Sequence, residues 1–288
     1  MRGHELFELI ERGLGPEANR HRGVDAPARR DTAIAGGSYR APATLVDGFR
    51  AGDGDGEVRG VVVSARASTQ VLTRAAEMGA NLVISRQAFL GDSQDRPVGK
   101  PEKALAEKLA LIDRLGLMVL RIQDVRTGSK GREITEALPR AIGLGTAMQV
   151  GNPAEGLVYR PAPVRLRELV QRTKSATGSP AVRLIGDPDM ILRGVALAPE
   201  TNRPNALNPL LARGDVNLLI AGEVHETETA AYVQDAIALG QQKALLLAGT
   251  IALEEPPARS LAEWLASKIA LPVAYIQSGT MLSEAASH

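Results

Sequence analysis

Asn217-Leu218-Leu219-Ile220-Ala221-Gly222-Glu223-Val224-His225 is an apolar run that ends abruptly in glycine and polar residues. A run this short and continuously apolar, followed by a helical pattern, marks a buried strand of a parallel sheet. Three other stretches have the same form: Asn81-Leu82-Val83-Ile84-Ser85-Arg86-Gln87, Leu117-Met118-Val119-Leu120-Arg121-Ile122-Gln123-Asp124 and Ala244-Leu245-Leu246-Leu247-Ala248-Gly249-Thr250. Parallel α/β sheets bind ligands outside the carboxyl ends of their strands, so the residues just past each run define a candidate site.

Working outward, the spacing predicts helices between the strands. Ser68 to Met78 places Val71, Leu72, Ala75, Ala76 and Met78 near helical spacing before Gly79, and 101–115 places Leu105, Leu109 and Ile112 on one face before Gly116. Arg59-Gly60-Val61-Val62-Val63 through Asn81-Leu82-Val83-Ile84 is repeated, at nearly equal separation, by Arg193-Gly194-Val195-Ala196-Leu197 through Asn217-Leu218-Leu219-Ile220. Each copy leads into a further helix and an apolar strand. Two copies of this size predict two similar, interlinked α/β lobes with a cleft between them, divided as 1–150 and 151–288. Gly13 to Gly56, rich in Gly, Pro, Arg and Asp, reads as a long ordered loop or cover, with Gly52-Asp53-Gly54-Asp55-Gly56 as a hairpin or turn within it. Pro153 to Pro163 reads as the connection between lobes, after which a helix resumes over 164–177.

Composition narrows the function. With no cysteine there is no thiolate nucleophile, no disulfide framework and no Cys-ligated zinc. Lys and Arg number 34 against 33 Asp and Glu, so no net field draws the chain toward nucleic acid or anionic lipid. Aromatic residues at 3% leave few rings for stacking on bases. An acidic amino-terminal segment and the lack of any spanning apolar run make a cytoplasmic protein the expectation. Glycine-rich nucleotide loops and the Gly-x-Ser-x-Gly elbow are missing from the sequence.

Phe49 to Phe89, Val119 to Asp124 and above all Val216 to Leu265 resemble the NGG-one-interacting-factor-three-like family, the GTP cyclohydrolase 1 type 2 homologues. The specific segments are Ile220-Ala221-Gly222-Glu223 and Leu247-Ala248-Gly249 with Glu254-Glu255. That resemblance implies two interlinked α/β lobes, a dinuclear metal centre in the cleft, a toroidal hexamer and a metal-dependent hydrolase or cyclohydrolase activity. Where the family has histidine ligands, however, this sequence has Arg86-Gln87, Gln123-Asp124 and Thr250, and Glu254 is the one ligand expected to survive.

Gln and Thr are weak neutral donors beside His or carboxylate. A guanidinium charge ~4 Å from a dication costs roughly 8 kcal/mol at an effective dielectric of ~20. The expected cofactor is therefore none, the alternative being one divalent ion held weakly by Glu254 with Glu223, Asp124 or His225. Arg86, Gln87, Arg121, Gln123 and Thr250 are the expected contacts to a small anionic molecule, since Arg forks suit carboxylate and phosphate. Arg86 equally fits a plug that fills the emptied site through a salt bridge. Asp124, Glu223, His225 and Glu254 are the expected proton-moving residues, with His225 tuned by its acidic neighbours. Glu254 and Glu255 also fit a solvated turn before Pro256-Pro257.

Three functions follow. The first is a metal-independent enzyme on a small anionic, possibly heterocyclic substrate. The second is a non-catalytic assembly or regulatory paralogue, and the third a cyclohydrolase-like hydrolase with a reduced metal site. All three carry the expectation of a homo-hexamer that binds neither nucleic acid nor membrane.

Overall fold

The computed structural model describes residues 1–14, 31–34, 37–40, 47–90, 95, 102–123, 129–148 and 156–279. The chain divides into two compact α/β units, Met1–Glu136 with Pro257–Ser278, and Ala137–Pro256. The expected division at residue 150 differs from this in two ways: the second unit begins earlier, and the chain returns to the first unit near its end.

The first unit contains α1 (Gly3–Leu14), β1 (Asp31–Ile34), β2 (Gly37–Arg40), β3 (Gly48–Ala51), β4 (Val61–Ser64), α2 (Thr69–Glu77), β5 (Leu82–Ser85), α3 (Lys103–Arg114), β6 (Met118–Arg121) and α4 (Ser129–Thr135). Strands β4, β5 and β6 are parallel and wholly buried, which is why their sequences are continuously apolar rather than alternating. Ser68 caps α2 by accepting from the Val71 amide, and Gly79 ends it at φ 77°. Val62, Val83 and Val119 pack against Val71, Leu72, Ala75, Leu109 and Ile112, forming the layer between the sheet and these two helices.

The long loop expected over Gly13 to Gly56 is corrected by β1, β2 and β3, which extend the sheet antiparallel from β6. Strands of four residues held by ladder hydrogen bonds need no apolar alternation, so periodicity could not reveal them. The 52–56 turn is present, with the Gly56 amide donating to Asp53 O at 2.9 Å and the Asp55 amide to Asp53 Oδ1 at 3.0 Å.

The second unit runs through α5 (Ala137–Ile142), β7 (Ala147–Met148), β8 (Leu157–Tyr159), β9 (Val164–Arg165), α6 (Leu166–Thr177), β10 (Arg183–Ile185), β11 (Ile191–Leu192), β12 (Val195–Ala198), α7 (Pro204–Ala212), β13 (Leu218–Ala221), α8 (Ala231–Ala238), β14 (Ala244–Leu247) and α9 (Thr250–Leu253). Its main sheet has the order β10-β14-β13-β12-β8-β7, with β12, β13 and β14 parallel. The connection expected over Pro153 to Pro163 instead contributes β8 to this sheet, antiparallel to β12. α10 (Glu255–Ala266) and β15 (Val273–Tyr275) then lead back to the first unit, where β15 lies parallel to β4. The first sheet accordingly has the order β1-β2-β3-β6-β5-β4-β15.

The internal repeat has a physical counterpart in two asparagines. Asn81, at the entry to β5, accepts from the Arg59 amide at 2.8 Å and donates to Glu57 O at 2.8 Å. Asn217, at the entry to β13, accepts from the Arg193 and Gly194 amides at 3.0 and 3.2 Å and donates to Ile191 O at 3.1 Å. In both units a buried carboxamide ties the segment before one parallel strand to the start of the next. None of the described helices is long and apolar enough to cross a membrane.

Candidate functional site at the strand ends

In the first unit the β4–β5–β6 ladder continues past the strand ends. The Arg86 amide donates to Ser64 O at 3.1 Å, Gln87 to Ala65 O at 2.8 Å and Ile122 to Ser85 O at 3.0 Å. Ser85 Oγ accepts from the Ala67 amide and donates to Gln87 O, while Ser278 Oγ lies 2.9 Å from Ser64 Oγ and accepts from the Arg66 amide. These bonds hold the backbone on which the candidate side chains stand.

Arg86 is sealed from solvent, with Nη1 donating to Ile122 O at 3.3 Å. Arg121, 2% exposed, donates from Nη1 to Asp95 Oδ2 at 2.9 Å and from Nη2 to Gln123 Oε1. The Gln123 amide donates to Asp47 Oδ1 at 2.6 Å. Gln87 is half-buried, and its Nε2 has no hydrogen-bond partner among the described residues. Asp124 lies outside the described residues.

Two residues that sequence reasoning missed organise this cluster. Asp95, fully buried, accepts from the Phe89 and Leu90 amides at 2.7 and 2.8 Å through Oδ1, and its Oδ2 also lies 3.5 Å from Nε of the buried Arg50. Its φ of 56° falls in the left-handed region, which Asp adopts more readily than most residues. Arg50 comes from β3, a strand the sequence did not reveal. The one local signal was an acid in a Gly-Asp-Ser-Gln-Asp-Arg-Pro stretch, which has no period.

A third missed residue is Lys108 on α3. Its Nζ donates to Phe89 O at 3.0 Å and sits 4.9 Å from the centre of the Phe89 ring. Burial and then the Arg66 charge push its pKa down to about 7, against an opposing pull from Asp95.

In the second unit, Glu223 is exposed past β13, and Thr250 Oγ1 at the start of α9 donates to Glu223 Oε1 at 3.4 Å. The two strand ends meet there: Gly249 donates to Gly222 O at 3.1 Å, and a Cβ on Gly222 would fall 2.3 Å from Thr250 Oγ1. His225 is exposed and its side chain makes no capping bond; its carbonyl accepts from the Glu228, Thr229 and Ala230 amides as the chain enters a π-turn, Glu226–Ala230. Glu254 and Glu255 are buried, at 3% and 2% exposed, where α9 gives way to α10. The solvated-turn alternative for this pair is therefore overturned: the adjoining prolines lie in the first turn of α10, where a missing amide hydrogen costs nothing and the chain stays packed.

A pair of divalent cations does not fit this donor set. Among the described residues no three His, Cys, Asp or Glu side chains converge. The ends of β5 and β6 present buried guanidinium groups, which repel a dication.

The model of the family described as Duf34/NIF3 (NGG1p interacting factor 3) matches residues 46–280. The chain belongs to that family. No curated protein matches it in sequence. Among solved structures it is similar to the protein ybgI, at 20% identity over 97% of this chain and 99% of that one, with a TM-score of 0.67. It is similar also to the Staphylococcus aureus protein SA1388, at 13% identity over 100% and 99% of the two chains with a TM-score of 0.68. A Bacillus cereus protein related to NIF3 matches at 14% identity over 97% and 98%, with a TM-score of 0.67. At these identities the likeness is one of fold.

Proposed function

We propose that this chain is a metal-independent member of the Duf34/NIF3 family that acts on a small anionic, possibly heterocyclic substrate. The observation that carries the reading is the burial of Arg86 and Arg121 at the ends of β5 and β6, where the family resemblance implies cation ligands. Fixed guanidinium groups in a water-poor setting favour carboxylate or phosphate and disfavour metal. In this reading Arg86, Gln87, Arg121, Gln123 and Thr250 contribute binding, and Glu223, His225, Glu254 and Asp124 move protons. Glu223 and His225 are exposed and accessible to a ligand; Glu254 is buried.

The test is equilibrium binding of a panel of heterocyclic carboxylates and phosphates to chelator-treated protein. The reading predicts binding that chelator leaves unchanged. Affinity that returns only with added metal overturns it.

A second reading, a non-catalytic assembly partner, is favoured by one observation. Arg121 and Arg50 already share the Asp95 carboxylate, an arrangement that fills the strand ends as packing. It predicts a stable oligomer with no affinity for any member of the panel. A homo-hexamer, as the family resemblance implies, is part of both readings and is tested by native mass.

A further inference from the structure

The parallel strands of the second unit carry opposite charge at their two ends. At the amino ends, the Arg193 amide donates to Asn217 Oδ1 at 3.0 Å, while Lys243 Nζ donates to Arg213 O at 2.8 Å and Val216 O at 2.6 Å. These bonds gather Arg193, Arg213 and Lys243 around the start of β13. Arg160 joins them from the end of β8, because the register that pairs Val195 with Tyr159 sets Arg160 opposite Gly194. Two acids lie at this end: Asp215, which accepts from Arg213 Nη2 at 2.8 Å, and Asp187, whose Oδ1 accepts from the Asp189 amide at 2.9 Å. Arg160 and Arg193 are exposed, and neither side chain makes a hydrogen bond or ion pair among the described residues.

Apolar surface collects at the same end. α8 returns from the carboxyl end of β13 to the amino end of β14, so its last residues lie there, with Ile237 37% and Leu239 78% exposed. Ile191, whose carbonyl accepts from Asn217 Nδ2 at 3.1 Å, is 47% exposed. Three of the five large apolar side chains left in solvent among the described residues therefore sit beside the cations. Apolar area rimmed by charge is the composition of a docking surface.

The carboxyl ends are acidic. Glu223 follows β13, Glu226 and Glu228 belong to the π-turn, and all three are exposed. The exposed cations there are Arg203, at the start of α7, and Arg183, opposite Leu247, and the acids outnumber them. A net charge of +1 for the whole chain conceals this separation.

We propose that the basic, partly apolar end of the second unit docks on the acidic end of the second unit in another copy of the chain, with Arg160 and Arg193 meeting Glu226 and Glu228. The contact rests on the self-association in the reading above and names the surfaces that make it. Its two halves differ, so it is heterologous, and repetition closes a ring or grows a filament. Charge sets orientation, and the apolar area at Leu239 and Ile191 supplies attraction that exposed ion pairs lack.

The experiment is sedimentation velocity of the full chain and two charge-reversed variants. Arg160→Glu with Arg193→Glu makes both ends acidic; Glu226→Arg with Glu228→Arg makes both basic. Each variant alone is expected to associate about tenfold more weakly than the parent or worse. An equimolar mixture of the two is expected to regain association, since unlike ends then meet at every contact. Raising salt from about 50 to about 500 mM should weaken the parent assembly by screening these charges. The four side chains are exposed and free of bonds among the described residues, and circular dichroism checks that the variants stay folded. Should a double variant unfold, Arg193→Glu and Glu226→Arg carry the same mixing test. Variants that assemble as strongly as the parent, or a mixture that stays dissociated, overturn the contact while self-association stands. A parent that is a monomer at every concentration removes both.

Discussion

Asp95 Oδ2 accepts a hydrogen bond from Arg121 Nη1 at 2.9 Å with both side chains closed to solvent. The same carboxylate fixes the Phe89-Leu90 backbone and lies beside Arg50, so one acid joins β3, β6 and the turn after β5. Removing one partner of a buried ion pair is far more destabilising than the pair itself is stabilising. Asp95→Asn keeps the shape and tolerates the left-handed backbone, and it is expected to cost about 3–5 kcal/mol. Urea unfolding measures it; a loss below 1 kcal/mol, the scale of an exposed pair, would contradict the structural role.

The close approach of β13 and β14 depends on Gly222. A methyl group there meets the Thr250 nitrogen and Cα at 2.8 and 2.7 Å as well as its hydroxyl, and backbone cannot swing aside. Gly222→Ala is expected to destabilise by about 1–3 kcal/mol. The double variant with Thr250→Ala should recover little of it, because the clash with backbone remains.

Asn81 and Asn217 play matching parts in the two units. Each hydrogen-bonds backbone groups of the preceding segment, part-buried except for the buried Gly194 amide. Replacing either by alanine removes those bonds, at about 1–3 kcal/mol in all. Similar losses of stability in Asn81→Ala and Asn217→Ala are the expected outcome. A large effect at one and none at the other would deny the equivalence of the two repeats.

Lys108 gives the chain a pH signature of definite sign. Its pKa falls from 10.5 to about 7 on folding, so between those values the unfolded chain holds more protons. Stability attributable to this group therefore rises as pH rises from about 7 toward 10.5; below pH 7 the penalty of the buried ammonium is complete. Lys108→Met should flatten that rise in unfolding free energy between about pH 7 and 9. An unchanged slope would contradict the assignment.

The parallel strands and their helices were legible because burial on both faces imposes unbroken apolar runs, and because Gly79 and Gly116 take the left-handed conformation that ends a helix. The repeat was legible for the same reason, down to its asparagines. Arg86 and Arg121 could be placed at strand ends, but their surroundings could not. Asp95 and Arg50 are distant in sequence from Arg121, and a loop acid and a residue of a four-residue strand carry no periodic mark. Burial of Glu254 and Glu255 was hidden for a related reason. Acids beside two prolines look like a turn until the helix that includes them is seen.

In the proposed function, guanidinium groups stand where the family resemblance implies a cation centre. The most direct measurement is the metal content per subunit of protein purified without chelator, taken together with its native mass. The proposed function predicts an oligomer holding far less than one equivalent of any divalent transition metal. Near-stoichiometric zinc, manganese or iron that survives gel filtration would contradict it and restore a metal-dependent hydrolase with Glu254 as a ligand.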